Sequence, residues 1–417
     1  MIWQRAHCRY ETSSFKGVGG LLVHGDFLKV NLDGYSNKIQ CIYLDPPKIS
    51  ELPSYMENHV GDKAEKTLKV KAYDNFNPSD IEMYKEFLYK TINRSFELLS
   101  DQGVLFFHLN AYSGFSYFPR KALDEVFGQD NFVNEIIWNY KLPGKAKKYF
   151  GQRHETILYY AKNKAKRYFN IKRIPCGKKK ENDNHMKRLV DSKGRPYRYI
   201  KSGGKKYIYY DDAHRYPDDV WSDIPYLNKR DSEFCFYDGQ KPKALISRAI
   251  RCSTKEGDYV LDPMCGTGTS LVAASESGCQ FIGVDSSKHA VAVSRKRLSN
   301  KKVRVLAPFS DESAMLDASV FPGIGFFEVS INFYSMAYSS NAERIEDDIS
   351  RPLDKVDQWY AGILKNGVFT AYASSVRTKN NPVLKRSLNI PILKGSVAIL
   401  VVDIFSNRSL WVSSAQI

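Results

Sequence analysis

The run Ile39-Gln-Cys-Ile-Tyr-Leu44 stops at Asp45-Pro46-Pro47, and this junction narrows the fold more than any other feature of the chain. The run is short and mostly apolar, as a strand buried on both faces of a parallel sheet must be. Two consecutive prolines cannot donate to a ladder, so the strand ends there and leaves a carboxylate at its carboxyl edge. A second strand, Tyr259-Val-Leu-Asp262, also ends on Asp-Pro and leads into a Gly-rich turn. Further strands are expected from Gly103, over 132–140 and 155–160, and at Gln280–Asp285. Tyr84, Leu88, Ile92 and Leu99 share one face of a helix over 78–99, with Ser79 or Asp80 as its cap. Other helices are expected over 119–127, 241–252, from the Gly-rich turn to Ser277, and over 287–298. Such alternation implies a mixed, mostly parallel sheet covered on both faces, an α/β fold of Rossmann-like type. Gly17-Val-Gly-Gly20 has no helix after it and reads as a loop.

The turn Cys265-Gly-Thr-Gly-Thr269 lies between a strand and a helix. Glycine there lets backbone pass close to a ligand, and the helix N-terminus adds positive potential. Asp285 ends the next strand, where a carboxylate can accept hydrogen bonds from both hydroxyls of a ribose. The Lys-Ser/Thr ending of a P-loop is missing and the glycine spacing is wrong for a dinucleotide fingerprint. The constellation points to a nucleoside-containing cofactor.

Charge narrows the partner. Lys and Arg number 62 against 46 Asp and Glu in 417 residues, a net charge of +16. Residues 141–215 hold 23 of the basic and only 6 of the acidic residues, which leaves 39 and 40 for the rest. The excess is therefore local, and it is interleaved with 11 aromatic residues from Tyr149 to Tyr210. Lys/Arg with aromatics is the composition of a surface that holds nucleic acid. Some of these rings, Tyr159 and Tyr160, fall in an expected strand and belong to the core. The seven cysteines form no CxxC and the eight histidines no HxxxH, so no disulfide framework and no metal are expected. No apolar segment of signal-peptide or membrane-spanning type is seen, and a cytoplasmic location is expected. The longest apolar run, Val397–Val402, suits a buried strand.

In order along about 270 residues, the chain carries HGD at 24–26, YLDPP at 43–47, GDKAE at 61–65, GVLFFH at 103–108 and FVNEIIWNY at 132–140. GQRHETILYYAKN at 151–163, HRYPDDVWSDIP at 214–225, QKPKALISRAI at 240–250, VLDPMCGTGT at 260–269 and FIGVDSS at 281–287 follow. This ordered set resembles the β group of DNA amino-methyltransferases, which methylate adenine N6 or cytosine N4 with S-adenosylmethionine. The resemblance implies that Asp262, Pro263, Gly266, Thr267, Gly268 and Thr269 hold the methionine part of that cofactor and Asp285 its ribose. Gln240, Lys241 and Pro242 would open the helix that completes the pocket. Asp45 with the Pro46 carbonyl would accept hydrogen bonds from the target amino group, and Pro47 and Lys48 complete the expected catalytic motif. The target base would be flipped out of double-stranded DNA, with adenine N6 placed before cytosine N4. The same resemblance suggests a second copy of the chain or a restriction–modification partner, and no membrane.

One position departs from the pattern. The family follows Asp-Pro-Pro with an aromatic residue that stacks on the flipped base; here it is Lys48. Base–aromatic stacking is worth about 1–3 kcal/mol. Three readings stand: another ring, Tyr55, takes the stacking role; the chain is a catalytically impaired DNA-binding relative; or a different target geometry tolerates lysine. An RNA methyltransferase is a further alternative. The expected organisation is a catalytic half over 1–160, a target-recognition insert over 161–232, a cofactor-binding half over 233–302 and a β-leaning accessory domain over 303–417. That last part is expected to contain one helix near Ile349–Ile363. Arg195, Arg198 and Lys201 are the expected DNA contacts. If the insert binds phosphates, affinity for duplex DNA should fall steeply between low and moderate salt; a filter-binding series showing constant affinity would remove the electrostatic reading.

Overall fold

The structure is a computed structural model that describes residues 10–13, 19–60, 66–109, 117–140, 147–148, 150–177, 187–308, 314–335 and 353–416. The GDKAE motif at 61–65, the start of the basic stretch at 141–146, Tyr149 and the first residues of the helix expected from Ile349 lie outside the described residues.

In chain order, β1 (Tyr10–Ser13), β2 (Gly20–His24) and β3 (Ile39–Leu44) precede a hairpin of β4 (Ser54–Val60) and β5 (Lys66–Tyr73). Then come α1 (Ile81–Leu98), β6 (Leu99–Leu109), α2 (Tyr117–Phe127), β7 (Phe132–Asn139) and β8 (His154–Ala161). The insert forms β9 (Leu189–Val190), β10 (Pro196–Ser202) and β11 (Lys205–Tyr210), and β12 (Val220–Trp221) follows. The second half of the core is α3 (Lys243–Ser253), β13 (Tyr259–Asp262), α4 (Thr269–Glu276), β14 (Gln280–Asp285) and α5 (Lys288–Arg297). After β15 (Val303–Leu306) come β16 (Met315–Pro322), β17 (Phe326–Ser335), β18 (Val356–Lys365), β19 (Val368–Val376), β20 (Ser387–Pro391), β21 (Ser396–Asp403) and β22 (Arg408–Gln416).

One sheet carries the order β12-β7-β8-β6-β3-β13-β14-β2-β15-β1-β19-β18-β21-β22. Its centre, β6-β3-β13-β14-β2-β15, is parallel throughout. Along these strands alternate residues enter two different cores. Ile42, Leu44, Leu105, Phe107, Leu261 and Ile282 pack with Leu88 and Ile92 of α1 and Leu123 of α2. Cys41, Tyr43, Val104, Phe106, Val260 and Phe281 pack on the opposite face with Leu245 and Ile250 of α3 and Leu271 of α4. The continuous apolar runs follow from this double burial. Tyr159 and Tyr160 sit in β8 and are buried, as expected.

The chain leaves β3 toward β6 and leaves β13 toward β14, so the strand order reverses between β3 and β13. A crevice opens at the carboxyl ends of strands at such a switch point. Because β8 runs antiparallel to β6, its first residues reach the same edge, with His108 of β6 opposite Ile157 of β8.

Two expectations are corrected. The described part of the supposed helix near Ile349–Ile363 is β18, paired with both β19 and β21. Trp359, Ala361 and Ile363 face β17 and β20, while Tyr360 faces the other core with Ala292 of α5. Burial on both faces erases the period-2 pattern, and an unbroken apolar run does not distinguish strand from helix. Gly20, read as loop, opens β2, which pairs in parallel with β14. A Cβ at Gly20 would stand 2.0 Å from the Phe281 ring, so the close approach of these strands needs glycine there. Gly20→Ala should therefore lower unfolding stability by about 1–3 kcal/mol, with part recovered in combination with Phe281→Ala. Urea unfolding of the three variants checks this, and an unchanged Gly20→Ala would refute the pairing.

Candidate active site

The switch-point crevice holds a cavity of about 390 Å³. Asp45, Pro46, Pro47, Lys48, Gln240, Lys241, Asp262, Pro263, Gly266, Thr267, Thr269 and Asp285 all line it. Residues separated by up to 240 positions in the chain are thus gathered by the topology alone. Gly268 and Pro242 are not on the wall. Gly268 has φ +70°, and a Cβ on it would meet Ser294 Oγ at 2.7 Å, so it serves close packing of α4 on α5. Pro242 precedes the first turn of α3 with extended backbone.

The Gly-rich turn is held from both sides. Asp285 accepts from Gly266 N at 2.8 Å and from Ser287 N at 2.9 Å. Arg297 Nη1 donates to Thr269 Oγ1 at 2.7 Å and to the Thr267 carbonyl at 3.0 Å. Asp262 accepts from Ser270 Oγ and from Met264 N. Burial pushes the Asp262 carboxyl up to about 7, and the charges of Asp45 and Asp285 add to that rise. Asp285 is likewise raised by burial to about 6, against its two backbone donors.

Asp45 stands where β3 ends, and its Oδ2 lies 3.6 Å from Lys241 Nζ. Tyr84 of α1 donates to the Pro47 carbonyl at 3.1 Å and so fixes the turn beyond it. Lys241, expected to complete a cofactor pocket, turns its ammonium the other way: Nζ donates to Glu155 Oε2 at 2.7 Å. Glu155 Oε2 is also 2.6 Å from His108 Nε2, and His108 Nδ1 is 2.7 Å from the Tyr43 hydroxyl. Sequence reasoning missed Tyr43, His108 and Glu155 as site residues. The available signal was a histidine after the apolar run Val104–Phe107 and a glutamate just before the run Ile157–Ala161.

Lys48 is exposed, and its main chain is anchored: its carbonyl accepts from Phe76 N at 3.1 Å, and Ser50 N donates to the Phe76 carbonyl at 2.8 Å. Phe76, packed edge-on against Tyr84 at 4.9 Å, lines the cavity together with Phe87, Tyr73 and Tyr237. Tyr55 is not on the wall, and its ring is covered by Lys69 Nζ at 4.2 Å. The structure does not bring it to position 48's place.

In the insert, β9, β10 and β11 form a separate three-stranded sheet. Lys201 is exposed and lies directly opposite Lys206 in the β10–β11 ladder. Arg195 is exposed but held by Asp212 through two hydrogen bonds of 2.9 and 2.8 Å. Arg198 is a correction: it is only 5% exposed and its guanidinium faces Asp211, so it braces the sheet instead of presenting charge.

Comparison with known proteins finds a family and relatives over most of the chain. The sequence profile of the DNA methylase family matches residues 39–296. The type II methyltransferase M2.DpnII of Streptococcus pneumoniae is 29% identical over 286 residues, 67% of this chain and 89% of that protein. The DNA adenine methyltransferase YhdJ of Escherichia coli K12 is 24% identical, over 69% of this chain and 85% of that protein. Among solved structures, the cytosine-N4-specific PvuII DNA methyltransferase aligns with a TM-score of 0.44 and 14% identity, over 69% of this chain and 87% of that one.

The raised Asp262 carboxyl has a consequence for the ligand-free protein. Folding favours its protonated form, so its contribution to stability is full below the ordinary value of 3.8 and is lost as pH rises through about 7. The difference in melting temperature between Asp262→Asn and wild type should accordingly move in favour of the variant from pH 4 to pH 7. A flat difference across that range would contradict the buried, crowded setting of this carboxyl.

Proposed function

Because the chain belongs to the DNA methylase family, we propose that it transfers a methyl group from S-adenosylmethionine to an exocyclic amino group of double-stranded DNA, adenine N6 in first place. The observation that carries this reading is the opening of Asp45 into the same cavity as Asp285 and the Gly266 turn. The residues present suit the cofactor. Each Asp285 oxygen accepts one backbone N–H and keeps acceptor capacity for a ribose hydroxyl. The carboxylates of Asp45, Asp262 and Asp285 give the cavity a negative field that favours a sulfonium cation. When bound, the cofactor supplies an electrophilic methyl group. Gly266, whose missing side chain faces open space, Thr267, Thr269 and Pro263 would border its methionine part.

The chain's own contribution to the chemistry lies at Asp45. An aromatic amine has its lone pair delocalised into the ring, and the nitrogen becomes nucleophilic only as it approaches sp³ geometry. Asp45 and the Pro46 carbonyl would accept its two N–H groups and hold it in that geometry. Asp45 then stabilises the positive charge that grows on nitrogen, an electrostatic contribution. Alignment toward the methyl carbon is the positional one. The insert would hold the duplex. Lys201 is exposed opposite Lys206, whose ammonium lies over the Tyr199 ring at 4.2 Å. Cations and aromatic rings thus share this hairpin, which supports it as a DNA surface, with Arg195 at its base. A second copy of the chain or a restriction–modification partner belongs to the same reading.

A second reading, a catalytically impaired DNA-binding relative, rests on Lys48. Activity is supported by the opening of Asp45, Asp285 and the Gly266 turn into one cavity beside Lys48. Tritiated methyl transfer to unmethylated DNA decides between them. Wild type should transfer, Asp45→Ala should lose about a hundredfold or more, and Lys48→Phe should gain about tenfold through restored stacking. Modified-base sequencing of the product reports the base. Absence of transfer by both wild type and Lys48→Phe would sink the methyltransferase reading.

A further inference from the structure

A polar path runs through the core to Asp45, and the transfer reaction as described makes no use of most of it. Tyr43, His108, Glu155 and Lys241 come from β3, β6, β8 and the turn before α3. Their contacts are 2.7 Å between Tyr43 and His108, 2.6 Å between His108 and Glu155, and 2.7 Å between Glu155 and Lys241. None is more than 8% exposed. Ions in such a place face a large desolvation penalty unless their geometry is excellent. Tyr43 and His108 each stand between apolar residues of their strands, Ile42 and Leu44, Phe107 and Leu109, so the fold alone gives no reason for a polar group there.

The hydrogen bonds assign the protons. Glu155 Oε2 faces two nitrogens and as a carboxylate can only accept, so His108 Nε2 carries hydrogen. In a neutral imidazole Nδ1 is then the acceptor, and Tyr43 donates to it. Glu155 is held well below the usual carboxylate range: burial opposes this, but the Lys241 charge and the His108 bond outweigh it. Lys241 is raised despite burial, by Asp45 and Glu155. The trio of Lys241, Glu155 and Asp45 therefore carries one net negative charge. Glu155, the nearer acceptor, takes the short contact with the ammonium. The surplus falls on Asp45, which alone of the two carboxylates lines the cavity.

We propose that Lys241 and Glu155 are a coupled positioning pair for Asp45. Lys241 orients the Asp45 carboxylate, and Glu155 absorbs the ammonium charge that would otherwise weaken Asp45 as an acceptor. His108 and Tyr43 hold Glu155 in place. The inference rests on Asp45 being the acceptor for the target amine. It adds a charge-sharing device that sets how strong that acceptor is.

Other titratable and charged groups also face Asp45. Tyr43, Tyr73 and Tyr84 are all raised by burial and stay neutral. Asp26, Asp74, Asp238 and the exposed Lys48 line the cavity, and burial raises Asp262 and Asp285 across the crevice to about 7 and about 6.

The test uses the full-length protein and reads the Asp45 carboxylate directly, by isotope-edited infrared difference against Asp45→Asn, with methyl transfer measured in parallel. Glu155→Gln should displace the Asp45 carboxylate stretch, because the ammonium charge is no longer shared. Lys241→Met should displace it the opposite way, and Lys241→Arg should return it part of the way to the wild-type position. The double variant Glu155→Gln/Lys241→Met, which leaves no buried ion without its partner, should displace the stretch in the same direction as Lys241→Met and so gives the comparison where the single variant loses stability. In transfer assays Glu155→Gln should lower kcat more than tenfold with little change in cofactor Kd by calorimetry. An unchanged Asp45 carboxylate stretch in the Glu155 and Lys241 variants, or activity losses that only follow melting temperature, would overturn the pair. Opposite displacements without any methyl transfer would support the pair and overturn the proposed reaction instead.

Discussion

Three carboxylates, Asp45, Asp262 and Asp285, end three neighbouring parallel strands at one edge of the sheet, and the surrounding structure is organised around keeping them there. Like charges gathered in a poorly solvated crevice repel, and burial adds to the cost. Each carboxylate is handled differently. Asp285 takes backbone N–H donors from Gly266 and Ser287. Asp262 takes a hydroxyl and a backbone donor and holds its proton to near neutral pH. Asp45 takes a buried ammonium at 3.6 Å. The Gly-rich turn, the helix N-terminus after it and Lys241 are thus parts of one electrostatic arrangement. A cationic ligand relieves it further, so the field that strains the empty crevice is the field that would select a sulfonium.

The carboxyl-terminal strands bear on this edge indirectly. β1 pairs with β15 on one side and with β19 on the other, and so joins the strands beyond residue 350 to the core sheet. α5, which carries Arg297 to the Gly-rich turn, packs on those strands: Lys296 pairs with Asp357 at 2.8 Å, and Gln358 donates to the Ala292 carbonyl at 3.0 Å. Arg295 lies over the Tyr360 ring at 4.1 Å. The helix that braces the turn is therefore itself braced from behind. Loosening β18 should be felt at Thr267 and Thr269 without any direct contact.

Much of the core was legible in the sequence because local rules and burial agreed there. Pro46 and Pro47 had to end β3, and Gly266 and Gly268 had to lie between β13 and α4. What was not legible depended on direction or distance. Lys241 lines the cavity, but no spacing tells which way an ammonium turns, and it turns toward Glu155. No local pattern marks Glu155, which reaches this edge because β8 runs antiparallel beside β6. β18 was misread because burial on both faces removes alternation. The pairing of β1 with β19 joins residues more than 350 positions apart, beyond any local signal.

Lys48 separates two things that the usual aromatic residue combines, the shape of the loop and the surface offered to a base. The loop does not depend on the side chain at 48. Its course is set by Tyr84 on the Pro47 carbonyl and by two backbone hydrogen bonds with Phe76. An aromatic wall is also present without it, since Phe76, Phe87 and Tyr73 already line the cavity. What lysine changes is the field at the rim. It places a positive charge on the route by which a polyanion would enter, while the three carboxylates keep the floor negative. A nucleotide moving inward would meet attraction for its phosphate at the mouth and for a cationic partner at depth. Under the proposed function, lysine at this position would exchange stacking energy for electrostatic steering, in a loop held by Tyr84 and Phe76 and not by its own side chain.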